Sequence, residues 1–158
     1  MGKKVKYSID TSAIIESWTR DFPPDVFPLV WERLDELIES KILLASEEVL
    51  YELEKKHDIT YNWALKRRNM FITTDEKIQK AVRRILRNHK KLIDTRRNRS
   101  GADPFVIALA LVHGLTVVTA ENLSTSLERP KIPDVCNALD IRWINMLKLF
   151  REQGWSFS

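Results

Sequence analysis

Four acidic residues stand at the margins of apolar runs: Asp10 closes VKYSID, Glu52 lies within EVLYELEKK, Asp103 opens ADPFVIALAL and Glu121 closes LTVVTAE. Charge placed at the rim of a core, when open solvent is available to it, is costly and therefore informative. Crowded carboxylates repel and raise one another's pKa unless a cation neutralises them. Three or four of them without a histidine partner therefore predict a hard, oxygen-preferring ion such as Mg²⁺ or Mn²⁺. Such an ion lowers the pKa of a bound water and stabilises charge developing on a phosphoryl oxygen. Metal-dependent phosphodiester hydrolysis is the chemistry expected of this set, and it needs no Ser, Cys or His nucleophile.

The remaining reactive side chains suggest no rival chemistry. Cys136 has no second cysteine for a disulfide or a zinc knuckle and reads as a small core residue. His57, His89 and His113 show no metal-ligand spacing, although His89 is placed where it could meet a phosphate. The five Trp are scattered and suit a core or an interface better than a base-stacking platform. Thr11, Ser12 and Thr119, each close to one of the acids, are expected to hold carboxylates in place and to cap backbone amides.

Strand and helix patterns alternate along the chain, which predicts an α/β layer with a parallel sheet. VKYSI (5–9) reads as a short buried strand and is followed by a helix from Thr11 or Ser12, interrupted between Asp21 and Pro24. Leu29, Val30, Leu34, Leu37 and Ile38 recur at helical spacing over 26–40, ILLA (42–45) reads as a second strand, and Ser46 as the cap of the next helix. Helices are predicted over 60–70 and 75–91, and again from Asp103, where Pro104 suits the first turn. Gly114 ends that helix, LTVVT (115–119) is the clearest strand, and 142–144 reads as an edge strand before a helix over 145–153. In such a sheet the strand C-termini share one edge, where ligands commonly bind. Asp10 and Glu121 each follow a strand, and Asp103 could reach the same edge from a helical first turn. For the second acid the pattern is undecided, because Glu48 and Glu54 flank the apolar stripe of Val49, Leu50 and Leu53 as plausibly as Glu52 does.

Charge is unevenly distributed. Between Lys66 and Arg99 thirteen Lys or Arg stand against Asp75, Glu76 and Asp94, a net +10 in a chain of net +4, so the remainder carries −6. A basic segment beside an acidic remainder suits a protein that holds a polyanion and keeps a carboxylate site for cations. Arg83, Arg84, Arg87 and Lys90 on the polar side of a predicted helix, and Arg96, Arg97 and Arg99 on a predicted loop, are the candidate nucleic-acid-binding residues. A length of 158 residues suits one domain, taken as 1–158. No run is long enough for a membrane span and the N-terminus lacks a signal-peptide core, so the expectation is a soluble, cytoplasmic protein without a membrane partner.

In this order IDTSAII, the glutamate of VLYELEKK, ADPFVIALAL and VVTAEN resemble the four motifs of PIN-domain nucleases, over residues 5 to about 125. Size and the lack of extra domains look most like the VapC-type toxins of toxin–antitoxin pairs. The resemblance implies a three-layer α/β/α sandwich around a mostly parallel sheet of four or five strands. It also implies Mg²⁺- or Mn²⁺-dependent endoribonuclease activity, a homodimer and restraint by a cognate antitoxin. Carried over by position, it assigns metal binding and catalysis to Asp10, Glu52, Asp103 and Glu121, with Ser12, Thr119 and Asn122 in support. The fourth acid of the pattern is usually Asp; here the longer Glu121 stands there, with Asn122 as an alternative oxygen and Asp134 as a further candidate. A processing nuclease without an antitoxin, or a catalytically weakened RNA-binding module, would share much of this pattern. A haloacid-dehalogenase-like phosphatase would need a second Asp where Ser12 stands.

Overall fold

Five short strands, β1 (Tyr7–Ile9), β2 (Leu43–Ser46), β3 (Phe71–Ile72), β4 (Thr116–Val118) and β5 (Trp143–Ile144), form one sheet in the order β3-β2-β1-β4-β5. Every pairing is parallel, and Tyr7 lies opposite both Leu43 and Thr116. The computed structural model describes residues 4–90, 101–124 and 130–157. Parallel neighbours need crossovers, and eight α-helices are present among the described residues: α1 (Thr11–Glu16), α2 (Pro28–Glu39), α3 (Glu47–Lys56), α4 (Asp58–Leu65), α5 (Glu76–Asn88), α6 (Asp103–His113), α7 (Ile132–Ala138) and α8 (Met146–Glu152). None of them is long and apolar enough to cross a membrane.

Alternation along β1 assigns the layers. Ser8 Oγ donates to the carbonyl of Val106 in α6 at 3.0 Å, so Ser8 faces that helix. Tyr7 and Ile9 must then face the other side, where Tyr7 donates to Glu152 at the end of α8 at 2.9 Å. Helix α6 packs against β1, β2 and β4, and is itself covered by α5 and α7. Hence its almost continuous apolar sequence: a helix enclosed on all sides has no polar face to keep. The result is the expected α/β/α sandwich, at the upper end of the expected strand number.

Local chemistry sets the helix starts. Asp10, Ser46, Asp75 and Asn145 each accept a backbone N–H from the first turn of the helix that follows, and His57 does the same through its ring for α4. Trp18, Trp31 and Trp63 converge with ring centroids 4.8–6.3 Å apart, so three of the scattered tryptophans are one cluster. Two elements differ from the expectation. The helix expected over 60–70 ends at Leu65, and a 3₁₀ turn (Arg68–Met70) leads into β3, which at two residues is too short to show strand alternation. Helix α7 begins with Ile132 and Pro133 and has seven residues, too few for a helical period to emerge.

Gly114 closes α6 at φ +66°, and a Cβ there would meet nothing within 4 Å. The expected cost of Gly114→Ala is therefore purely conformational, about 1 kcal/mol in urea unfolding. An unchanged midpoint would contradict this account of the helix end.

Candidate active site

Strand order reverses direction of growth at β1, with β2 to one side and β4 to the other. At such a point the C-terminal ends of neighbouring strands open a crevice. Asp10 follows β1 there and is buried, 2% exposed. Its Oδ1 accepts from the Ala13 amide at 2.8 Å, Ser12 Oγ lies 2.8 and 2.9 Å from its two oxygens, and Thr119 Oγ1 donates to Oδ2 at 2.6 Å. Both hydroxyls are themselves held by backbone. The Ala120 amide donates to Ser12 Oγ at 3.1 Å and the Glu121 amide to Thr119 Oγ1 at 3.0 Å. Each hydroxyl thus accepts a hydrogen bond from the turn after β4 and donates its own to Asp10, so the register of β1 on β4 fixes the carboxylate. Burial pushes the Asp10 pKa up to about 7, with the charge of Glu121 adding to it, against the pull of the Thr119, Ala13 and Ser12 hydrogen bonds.

Glu52 enters from α3, also buried. Its Oε2 accepts from the Ala102 amide at 3.3 Å, just before α6, and its Oε1 lies 3.4 Å from Lys56 Nζ one helical turn on. Glu48 and Glu54 do not line the cleft; Glu52 does. Asp103 is the first residue of α6 and accepts no hydrogen bond from a described residue. Burial, then the charges of Glu121, Asp10 and Glu52, hold its pKa well above the ordinary carboxylate range, with Lys56 opposing them. Glu121 reaches from the turn after β4 to the start of α7, where Oε1 accepts from the Ile132 amide at 3.2 Å. The extra methylene of Glu over Asp gives this side chain the length to line the cleft and still cap α7.

The four acids thus line one cleft of about 360 Å³, together with Thr11, Ser12, Ile15, Glu16, Lys56 and Lys131. Thr11, expected to support an acid or cap an amide, does neither: its Oγ1 is buried there without a hydrogen-bond partner among the described residues. Sequence reasoning missed the two lysines. Lys56 was legible as an i,i+4 partner of Glu52, whereas Lys131 precedes the unforeseen α7 and gave no signal. Asn122 is exposed and outside the cleft. Asp134 is occupied structurally, accepting from the Lys131 amide at 2.7 Å and from Ser124 at 3.1 Å at the start of α7. Cys136 is buried, and burial, with Asp10 and Glu121 nearby, pushes its thiol up to about 12, consistent with an inert core residue. Arg83, Arg84, Arg87 and Lys90 are exposed; the first three lie on the outer face of α5, whose inner face packs on α6. Arg96, Arg97 and Arg99 lie outside the described residues.

Among the described residues no three Asp, Glu, His or Cys side chains stand as a ready-made coordination set. Asp10, Glu52 and Glu121 are each engaged by the hydrogen-bond donors just named. The donor chemistry nonetheless suits a hard divalent cation. It is all oxygen, two of its acids are raised by burial and mutual repulsion, and an unpartnered buried hydroxyl sits beside them.

The family described as "Domain of unknown function (DUF4411)" matches residues 7–157. The chain belongs to that family. No curated protein matches this chain. Its solved structural neighbours include the crystal structure of VapBC2 from Rickettsia felis bound to a DNA fragment from its promoter, with 16% identity, 89% of this chain and 98% of that chain covered, and a TM-score of 0.54. A second is FitAcB from Neisseria gonorrhoeae, at 21% identity over 88% and 96% of the two chains, with a TM-score of 0.49. The first of these likenesses establishes the fold: the DUF4411 domain is a PIN-like α/β/α sandwich.

Thr119→Ala removes both the donor to Asp10 and the acceptor for the Glu121 amide while leaving all four acids in place. Loss of such outer support costs about 10- to 100-fold in metal affinity or activity. If the cleft holds a divalent cation, the concentration that half-fills it should rise by that factor, and an unshifted titration would count against the relay.

Proposed function

We propose that this DUF4411 domain is a metal-dependent endoribonuclease hydrolysing RNA phosphodiester bonds, and the toxin of a type II toxin–antitoxin pair. The observation that carries the reading is the meeting of Asp10, Glu52, Asp103 and Glu121 in one cleft at the C-terminal edge of a parallel sheet. Asp10, Glu52 and Asp103 would hold Mg²⁺ or Mn²⁺, with Glu121 as a fourth ligand or as the acid that orients the attacking water. A bound ion of this kind supplies Lewis acidity and a water of lowered pKa.

The chain's own contribution is positioning and proton handling. Ser12, Thr119 and the Ala13 amide fix the Asp10 carboxylate, which removes the need to order it during reaction. Glu121 is tethered through Oε1 only, and its Oε2 has no hydrogen bond among the described residues, so that oxygen can receive a proton from water. The exposed cations of α5, with Lys90 and the Arg96, Arg97 and Arg99 segment, would hold the rest of the RNA by phosphate contacts. The cytoplasm, a homodimer and a single domain over 1–158 belong to the same proposal. The neighbour that supports the fold is a toxin–antitoxin complex, VapBC2, which favours an antitoxin partner over a free-standing processing nuclease.

The test is cleavage of single-stranded RNA in Mg²⁺, Mn²⁺ or EDTA. Cutting is expected with either ion and is lost in chelator; undiminished cutting in EDTA overturns the metal mechanism. Suppression by the product of a small overlapping upstream reading frame is expected of a toxin. Absence of suppression leaves the processing-nuclease alternative.

A further inference from the structure

Among the described residues, Lys56 is the one cation paired with any of the four candidate ligands Asp10, Glu52, Asp103 and Glu121: Nζ lies 3.4 Å from Glu52 Oε1, with the lysine side chain 44% exposed and the glutamate 8%. It also opposes the charge repulsion on Asp103, so its ammonium group serves two of the four acids. The cleft is lined by five acids and two lysines, Lys56 from α3 and Lys131 from the α7 side. An acidic floor repels a phosphodiester, and the repulsion falls once a divalent cation shares the carboxylates. The same event weakens the hold of Glu52 on Lys56, because the carboxylate then has a partner of higher charge. The lysine stem is flexible and its head is partly in solvent, so it can turn to a phosphate without unpacking α3.

We propose that Lys56 is a two-state substrate-positioning residue. It neutralises Glu52 when no cation is held, and, once a cation is held, it binds the phosphate of a single-stranded RNA at the cleft mouth, with Lys131 as the second contact. This rests on the nuclease reading and adds a residue to it. Two opposite effects follow from removing the charge. Lys56→Gln takes away a competitor for Glu52 and a contact for the phosphate, so cation binding tightens while RNA binding weakens. A lysine that merely packs or stabilises α3 would not separate the two.

The experiment uses the full chain and two readouts independent of turnover. Mn²⁺ binding is titrated calorimetrically without RNA, and binding of a fluorescent single-stranded RNA is followed by anisotropy in Ca²⁺, with cleavage in Mg²⁺ measured in parallel. Lys56→Gln is expected to bind RNA about tenfold more weakly, the scale of one hydrogen bond to a charged group, and to bind Mn²⁺ at least as tightly as wild type. Lys56→Arg should restore RNA binding. Lys148→Gln, an equal charge loss at an exposed position of α8, should change neither. RNA affinity unchanged in Lys56→Gln while wild type binds and cuts overturns the positioning role alone. So does an equal fall in cation and RNA affinity, which marks a structural lysine. Wild-type protein that binds RNA with the Lys56 dependence but does not cut overturns the nuclease reading and leaves this one standing. Wild type that binds no RNA overturns both.

Discussion

Asp103→Asn is expected to slow RNA cleavage by about a hundredfold or more at saturating Mg²⁺, and at the same time to raise the thermal midpoint of the protein measured in EDTA. The two effects have one cause. Asp103 accepts no hydrogen bond from a described residue, and it sits among Glu121, Asp10 and Glu52, all of which disfavour its charge. Asparagine has nearly the same shape and lacks that charge, so it relieves repulsion in the empty cleft and removes an anionic ligand from the filled one. Loss of outer support alone costs about 10- to 100-fold, and loss of a ligand should lie at or beyond the upper end of that range. The discriminating measurement is single-turnover cleavage beside a melting curve. Activity near wild type would remove Asp103 from the metal set, and lower activity with a lower midpoint in EDTA would mean that it supports the fold instead. Glu121→Gln should lose less activity, because its Oε1 bond to Ile132 survives in the amide.

Much of this site was legible because strand ends and helix starts are written in local chemistry. VKYSID and LTVVTAE each place an acid just past a β-rich run, and a parallel sheet brings such positions to one edge whatever its strand order. Asp103 before Pro104 was legible as a helix start for the same local reason. Glu52 was not separable from Glu48 and Glu54 by periodicity, since all three border the same stripe; its placement depends on how α3 meets the loop before α6, a tertiary fact. β3 and α7 escaped because two strand residues and seven helical ones carry too little pattern. With α7 went Lys131 and the tether of Glu121. Thr119 and Ser12 were identifiable as supports of the acids, but the relay through the Ala120 and Glu121 amides needs the β1–β4 register to be known.

Asp10 yields the second large effect, in stability. An aspartate in the unfolded chain releases its proton near pH 4, whereas burial keeps the folded one protonated up to about 7. Between those values the folded state binds more protons than the unfolded one, so the Asp10 contribution to stability falls as pH rises through this window and is constant above it. The raised Asp103 acts in the same direction. Asn at position 10 can still accept the Ala13 amide and cap α1, and it has no proton to lose. In EDTA, Asp10→Asn should therefore match wild type near pH 4 and exceed it at pH 8, by on the order of 2 kcal/mol once other hydrogen-bond changes are allowed for. Adding Mg²⁺ at pH 8 reverses the advantage. On the proposed function the ion would bind the wild-type folded state and stabilise it by about 2.7 kcal/mol at a hundred times its dissociation constant, and the variant would gain less. Denaturant unfolding across pH 4–8, with and without chelator, separates these terms. If the two proteins differ by the same amount at pH 4 and pH 8 in EDTA, Asp10 is not ionising against its burial. If Mg²⁺ stabilises both equally, Asp10 is not where the cation is held.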